Sequence, residues 1–187
     1  SQTDWIEGEP DAPVTILVYS DFQCPYCAQL EPVLAELLDK YPQEVRVVYR
    51  HFPLEGHDKA ILAAQAAEAA GRQKAEYFYA LKDRFYALRD EWVNLTQEEF
   101  LTWLYTQIED MGLDEERFVN DMEDEAILNK ILTLQAEGLS VGIPGTPFIL
   151  IDGDPYQGPR DYISLEMVVN LLQLQYLQYT TCPPEVI

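Results

Sequence analysis

Positive charge is scarce in this chain: 12 Lys and Arg stand against 33 Asp and Glu in 187 residues, a formal net charge of −21. So acidic a surface repels nucleic acid and anionic lipid, and neither is expected as a partner. The charge points to no substrate, since a solvated surface accounts for it. Cysteine is scarce too, with three residues, too few for a disulfide framework. No apolar run approaches the roughly 18–20 residues that a membrane span needs, and no basic, apolar signal segment opens the chain. The chain starts at Ser1 rather than Met, which fits a processed or trimmed form and leaves its location open. Apolar residues are plentiful, at 48% with 12% aromatic, ample for one well-packed domain with room for an insertion.

Two of the three cysteines stand together in Cys24-Pro25-Tyr26-Cys27. The apolar, β-branched run Val14–Ser20 before them predicts a central strand. Leu30, Val33, Leu34, Leu37, Leu38 and Tyr41 after them predict a helix, with Pro32 inside it removing one hydrogen bond. Pro25 suits a first helical position, which makes Cys24 the N-cap and Cys27 the third helical residue. Side chains at those positions meet in a capping box, so two sulfurs can approach each other there. Backbone N–H groups and the helix dipole favour a thiolate at Cys24. Cys27, a turn further in, is expected to be less exposed and to resolve a mixed disulfide. A zinc site would need four ligands, and Cys182, His51 and His57 offer no usual spacing. No metal or cofactor is expected beyond a redox-active Cys24–Cys27 disulfide.

A second strand is predicted at 45–52, forming a βαβ unit with the first. Helices then fill the chain as far as Gly138: an alanine-rich one from Ile61 closed by Gly71, one through Phe78, Leu81, Phe85 and Leu88, and one opened by a Thr96–Glu99 capping box and closed at Gly112. Asp114 is expected to cap a short helix, and Ile127, Leu128, Ile131 and Leu134 mark another ending at Gly138. Phe148–Ile151 predicts a strand, Asp152-Gly153 a hairpin turn, and Tyr156 a short return strand. Ser164 is expected to cap a last helix that buries Met167, Val168, Leu171 and Leu172. The fold class is α/β, with a long helical insertion.

The segments Asp21–Cys27, Arg50-His51-Phe52-Pro53-Leu54, Ala63–Ala70 and Gly145-Thr146-Pro147-Phe148, in this order, resemble DsbA-like thiol:disulfide oxidoreductases over nearly the whole chain. That resemblance implies a thioredoxin-like fold with an all-helical insertion domain: residues 1–60 and 139–187 form the thioredoxin-like domain and 61–138 the insertion. It implies a cis peptide before Pro147, with Thr146 and Pro147 facing the dithiol and receiving an extended substrate segment. It also implies a bacterial, extracytoplasmic enzyme, periplasmic or in the cell envelope, anchored through a segment preceding Ser1. Its partners are unfolded or partly folded proteins with cysteines, and a redox partner, in the membrane or soluble, that resets the dithiol. Phe22 and Tyr26 are expected as an apolar rim for such clients. Many relatives carry a carboxylate six residues before the first cysteine; here that residue is Val18, which leaves the proton carrier for Cys27 unassigned.

Other readings stay open at this point. A reductase, isomerase or glutathione-linked enzyme fits the same scaffold, and a polypeptide-binding chaperone without turnover fits another class. His51 is expected to be structural, His57 to belong to the helix start after it, Cys182 to be an incidental thiol, and the acidic stretches 109–110 and 121–125 to be solvated helix ends.

Overall fold

A computed structural model describes residues 4–181. In chain order the elements are β1 (Trp5–Gly8), β2 (Val14–Ser20), α1 (Pro25–Lys40), β3 (Val45–His51), α2 (Ala60–Gln73), α3 (Ala75–Ala87), α4 (Arg89–Trp92), α5 (Gln97–Met111), α6 (Glu115–Met122), α7 (Glu125–Ser140), β4 (Phe148–Ile151), β5 (Asp154–Pro155) and α8 (Tyr162–Thr181). The strands form one sheet in the order β1-β3-β2-β4-β5, with β1 antiparallel to β3 and β4 antiparallel to β5. By compactness the chain divides into one unit of residues 1–18, 29–50 and 148–187, and another of 19–28 and 51–147.

The first unit is built on the apolar pattern of its strands. Val14, Ile16 and Val18 of β2, Val45 and Val47 of β3, and Ile149 and Ile151 of β4 share a core with Leu30, Leu34 and Leu37 of α1. Leu165 and Val169 of α8 complete it, each fully buried side chain contributing about 1.5–3 kcal/mol. Pro32 lies inside α1, which continues through it to Lys40. The β4–β5 hairpin turns through Asp152 and Gly153, both at positive φ (50° and 93°), as an Asp-Gly turn requires. The return strand is Asp154–Pro155, just before the expected Tyr156.

One strand is added to the expected set, and two expectations change. The strand β1 carries no long alternating signal and is held by pairing to β3 and by Arg50, whose guanidinium donates twice to Asp4 at 2.8 and 3.1 Å. The last helix starts at Tyr162, and Asp161 caps it by accepting from Ser164 N–H at 2.9 Å. Met167 and Leu171 are exposed on α8, while Leu165 and Val169 turn inward.

The second unit is a helical assembly whose centre is α2. Its alanines, with Ala63, Ala66, Ala67, Ala69 and Ala70 fully buried, let α3, α6 and α7 approach closely. Beside them Phe85, Trp92, Phe100 and Trp103 form an aromatic cluster, with ring centroids 5.2–6.2 Å apart. Trp92 Nε1–H donates to the Phe85 carbonyl at 2.9 Å, satisfying its one polar atom. Both halves of the Thr96–Glu99 capping box are present, and Gly112 closes α5 in the left-handed region. Asp114 caps α6 by accepting from Arg117 N–H. The short helix α4 escaped the sequence reading, because four residues carry no period.

Two glycines do not end helices as expected. The helix α2 runs through Gly71 to Gln73, and α7 runs through Gly138 to Ser140. Gly138 is buried and faces Phe52: a Cβ there would lie 2.7 Å from that ring and 3.1 Å from Tyr19. Absence of a side chain, not a left-handed turn, is what this position uses.

His51 and Glu68 are buried together, with half-buried Lys130 beside them. His51 Nε2 lies 3.0 Å from Glu68 Oε1, and Lys130 Nζ donates to Oε2 at 2.8 Å. Burial opposes ionisation of Glu68, but the His51 and Lys130 contacts outweigh it and hold the carboxyl at about 2. His51 is structural, as expected.

Gly138→Ala is expected to destabilise the protein by about 1–3 kcal/mol, because overpacking against Phe52 exceeds the gain in helix propensity; urea unfolding measures it. A lowered carboxylate pKa stabilises the fold above about pH 4.5, and that contribution disappears as pH falls towards about 2. Glu68→Gln should therefore cost about 3 kcal/mol at neutral pH and flatten the acid limb of stability against pH.

Candidate active site

The dithiol stands where strand β2 gives way to helix α1. Pro25 is the first helical residue, so Cys24 occupies the cap position and Cys27 the third position, as the sequence predicts. The turn is closed by Cys24 N–H donating to the Asp21 carbonyl at 3.1 Å, and Ala28 N–H donates to the Cys24 carbonyl at 3.2 Å. Both cysteines are unbonded thiols.

The segment before Cys24 is clamped by its neighbours. The Asp21 carboxylate, wholly buried, accepts from Gln23 N–H at 2.7 Å, Leu54 N–H at 2.8 Å and His57 Nδ1 at 2.7 Å. The Gln23 amide donates to Asp58 and accepts from Lys59 N–H, at 2.8 and 2.9 Å. Arg89 Nε donates to the Gln23 carbonyl at 2.9 Å. Residues 21–23 thus have fixed side chains and fixed backbone, which orients the cap. His57 sits in the loop before α2 as a partner of Asp21, not in the helix itself.

Cys24 and Cys27 are each 2% exposed, and Cys27 is the more deeply desolvated of the two. They differ in what surrounds the sulfur. The Cys24 thiol is lowered to about 5, chiefly by a hydrogen bond from Cys27; burial opposes this, and Thr146 and the backbone N–H groups of Cys27 and Tyr26 add to it. The Cys27 thiol is pushed well up, by burial first and then by the hydrogen bond and charge of Cys24. One thiolate forms easily and its partner holds the proton.

The Thr146–Pro147 peptide is cis. Cys24 Sγ donates to the Thr146 carbonyl at 3.4 Å. The Thr146 hydroxyl is buried with no hydrogen-bond partner, and an ionised Cys24 sulfur supplies the acceptor it lacks. Tyr26 is 63% exposed and Pro25 is exposed. Phe22 is 1% exposed and packs on His51, Phe85 and Tyr86, with centroids 5.0–5.7 Å away. It is therefore a packing residue behind the dithiol, and the expected rim reduces to Tyr26. Val18 lies in the apolar core. Cys182 falls outside the described residues.

A thioredoxin-type fold carrying a Cys-x-x-Cys at a helix cap opposite a cis-proline defines a class of dithiol proteins. The thioredoxin family model Thioredoxin_4 matches residues 1–170, and the chain belongs to that family. Its structure is similar to alpha-DsbA1 of Wolbachia pipientis, with a TM-score of 0.82 at 20% identity over 95% of this chain and 94% of that one. A thioredoxin-like oxidoreductase from Silicibacter pomeroyi superposes with a TM-score of 0.72 at 26% identity, covering 93% and 94%. Among curated proteins, the Na(+)/H(+) antiporter NhaA 3 of Salinispora tropica is 38% identical over 168 residues, 89% of this chain and 24% of that protein. The chain spans about a quarter of the length of the curated relatives it matches.

Titration of the reduced protein, followed by thiolate absorbance, should show one cysteine ionising near pH 5. Cys24→Ser should remove that transition; its persistence would assign the low value to another group.

Proposed function

We propose that this chain is a thiol:disulfide oxidoreductase of the DsbA type that oxidises cysteines of exported, unfolded or partly folded proteins. Cys24 is the attacked and attacking sulfur, Cys27 resolves, and no cofactor beyond their disulfide takes part. The reading rests on one observation: Cys24 caps α1 with its sulfur at the carbonyl of the cis Thr146–Pro147 peptide, and Cys27 lies buried one turn further in. A stabilised Cys24 thiolate favours the reduced form, so the disulfide is an oxidant, and it also makes Cys24 a good leaving group from a mixed disulfide. Thioredoxin, with a thiol near 7, has a potential of about −270 mV; DsbA, near 3.5, about −120 mV. A value of about 5 falls between them.

Thr146 supports the same reading, since its main chain lies at the Cys24 sulfur and can pair with an extended client. Pro147 fixes that segment, and exposed Tyr26 offers an aromatic face beside the dithiol. Its place is the periplasm or cell envelope, where such disulfides persist, with a redox partner to reset the pair. The match to part of NhaA antiporters favours an envelope location, where a membrane anchor and a membrane-bound redox partner are both within reach.

Equilibration of the Cys24/Cys27 pair against a glutathione series should give a potential between about −270 and −120 mV. A value at or below thioredoxin's overturns the oxidant reading. Thr146→Val, which removes the hydroxyl, should raise the Cys24 thiol by about one unit and lower the potential by about 30 mV.

A further inference from the structure

The last helix is apolar on two opposite sides. Along α8, Leu165 and Val169 are buried in the sheet core, with Val168 and Leu172 packed against it. At 3.6 residues per turn, Ile163, Met167, Leu171 and Leu174 fall together on the other side. They are 68%, 61%, 58% and 59% exposed. A surface helix turns polar residues outward, whereas one that is apolar all round is covered on both sides. These four residues leave on the order of 450 Å² in water, as much as the largest patch on a typical monomer.

Charge sets the same surface apart. Charged residues make up 24% of the chain, yet the 20 residues of α8 include only one, Glu166. That carboxylate is answered where it stands: Lys40 Nζ donates to it, and so do the hydroxyls of Tyr41 and Tyr162 at 3.0 and 2.7 Å. Two copies of a chain with a net charge of −21 repel each other, so they can meet only where that charge is absent. A lipid surface fits less well. No helix among the described residues is long and apolar enough to cross a membrane, and α8 has no Lys or Arg to hold it at the headgroups.

We propose that α8 is the contact surface between two copies of this chain, packed antiparallel about a two-fold axis between Met167 and Leu171. The stripe read backwards matches itself, so Ile163 faces the partner's Leu174 and Met167 faces the partner's Leu171, as an isologous contact requires. Two such stripes remove on the order of 900 Å² from water, and their flanks bring the contact to the roughly 1,000 Å² that a specific interface needs. An area so close to that bound fits a reversible dimer with a dissociation constant of about 10 μM. The inference is independent of the dithiol chemistry.

Sedimentation equilibrium of the full chain is the test. From about 1 to 100 μM the mass should rise from 21.5 kDa towards twice that value. The rise should begin at lower concentration in about 0.5 M salt, which screens the repulsion between copies. Met167→Glu and Leu171→Glu each bury an unpaired carboxylate in the contact and should remain monomeric at about 100 μM. Both positions are exposed in the single chain, so near-ultraviolet circular dichroism and the Cys24 titration should stay as in the wild type. Met167→Lys, monomeric alone, should form a dimer when mixed with Leu171→Glu, since the two positions face each other; failure of the mixture overturns the antiparallel packing. A wild-type chain that stays at 21.5 kDa throughout, or a dimer that survives both Glu variants, overturns the proposal. A monomer that co-sediments with neutral phosphatidylcholine vesicles overturns it too, and assigns the face to lipid.

Discussion

The site depends on one buried carboxylate. Asp21 places no atom of its side chain in water, yet it accepts hydrogen bonds from Gln23, Leu54 and His57. A carboxylate in that position would be costly without partners; with them it fastens the strand-to-helix turn to the loop after β3. Its own carbonyl takes the Cys24 N–H, so one residue closes the cap through its backbone and anchors it through its side chain. Gln23 extends the clamp to α2 and α4 through Lys59 N–H and Arg89. The cysteines are held in place by this arrangement before any chemistry begins.

On that frame, burial and hydrogen bonding do different work. Burial raises any thiol, and it weighs more on Cys27 than on Cys24. Donor supply divides them further. Cys24, at the cap, receives donors from Cys27, Thr146 and the first-turn backbone, an arrangement that helix geometry offers to the first cysteine and withholds from the fourth residue on. Cys27 has fewer donors and the deeper desolvation. The asymmetry of the dithiol thus combines the contact between the two sulfurs, the deeper burial of Cys27 and the donors at the helix start.

Local signals in the sequence carried far. Pro25 at the first helical position, the Thr96–Glu99 box, Gly112 at a left-handed cap and Asp152-Gly153 at the hairpin each act through residues a few positions apart, and each was readable. Gly71 and Gly138 were read as stops because a glycine's reason for being there is ambiguous from sequence. Gly138 answers to a ring 86 positions away, that of Phe52. The cysteines and the cis Thr146–Pro147 bond could be placed through a family resemblance, but the contacts of Asp21 with Leu54 and His57 could not. Those partners lie 33 and 36 positions away in the chain, and nothing in spacing brings an aspartate to a histidine across that distance. Phe22 was misread for the opposite reason: an aromatic beside a reactive cysteine suggests a rim, whereas here it fills the space behind.

The two sulfurs act on each other, since Cys27 is itself the chief donor to Cys24. Thr146 and the first-turn backbone add to that donor at Cys24, while burial weighs most on Cys27. Equilibrium between dithiol and disulfide depends chiefly on how well the reduced form holds its thiolate, and that charge rests on Cys24. Opening of the disulfide depends on how well charge is received by the departing sulfur, and that charge rests on Cys27. A carboxylate beneath the pair would couple them, since its negative charge would oppose both thiolates at once. With Val18 in the apolar core, no charge stands at that position to oppose the Cys24 thiolate.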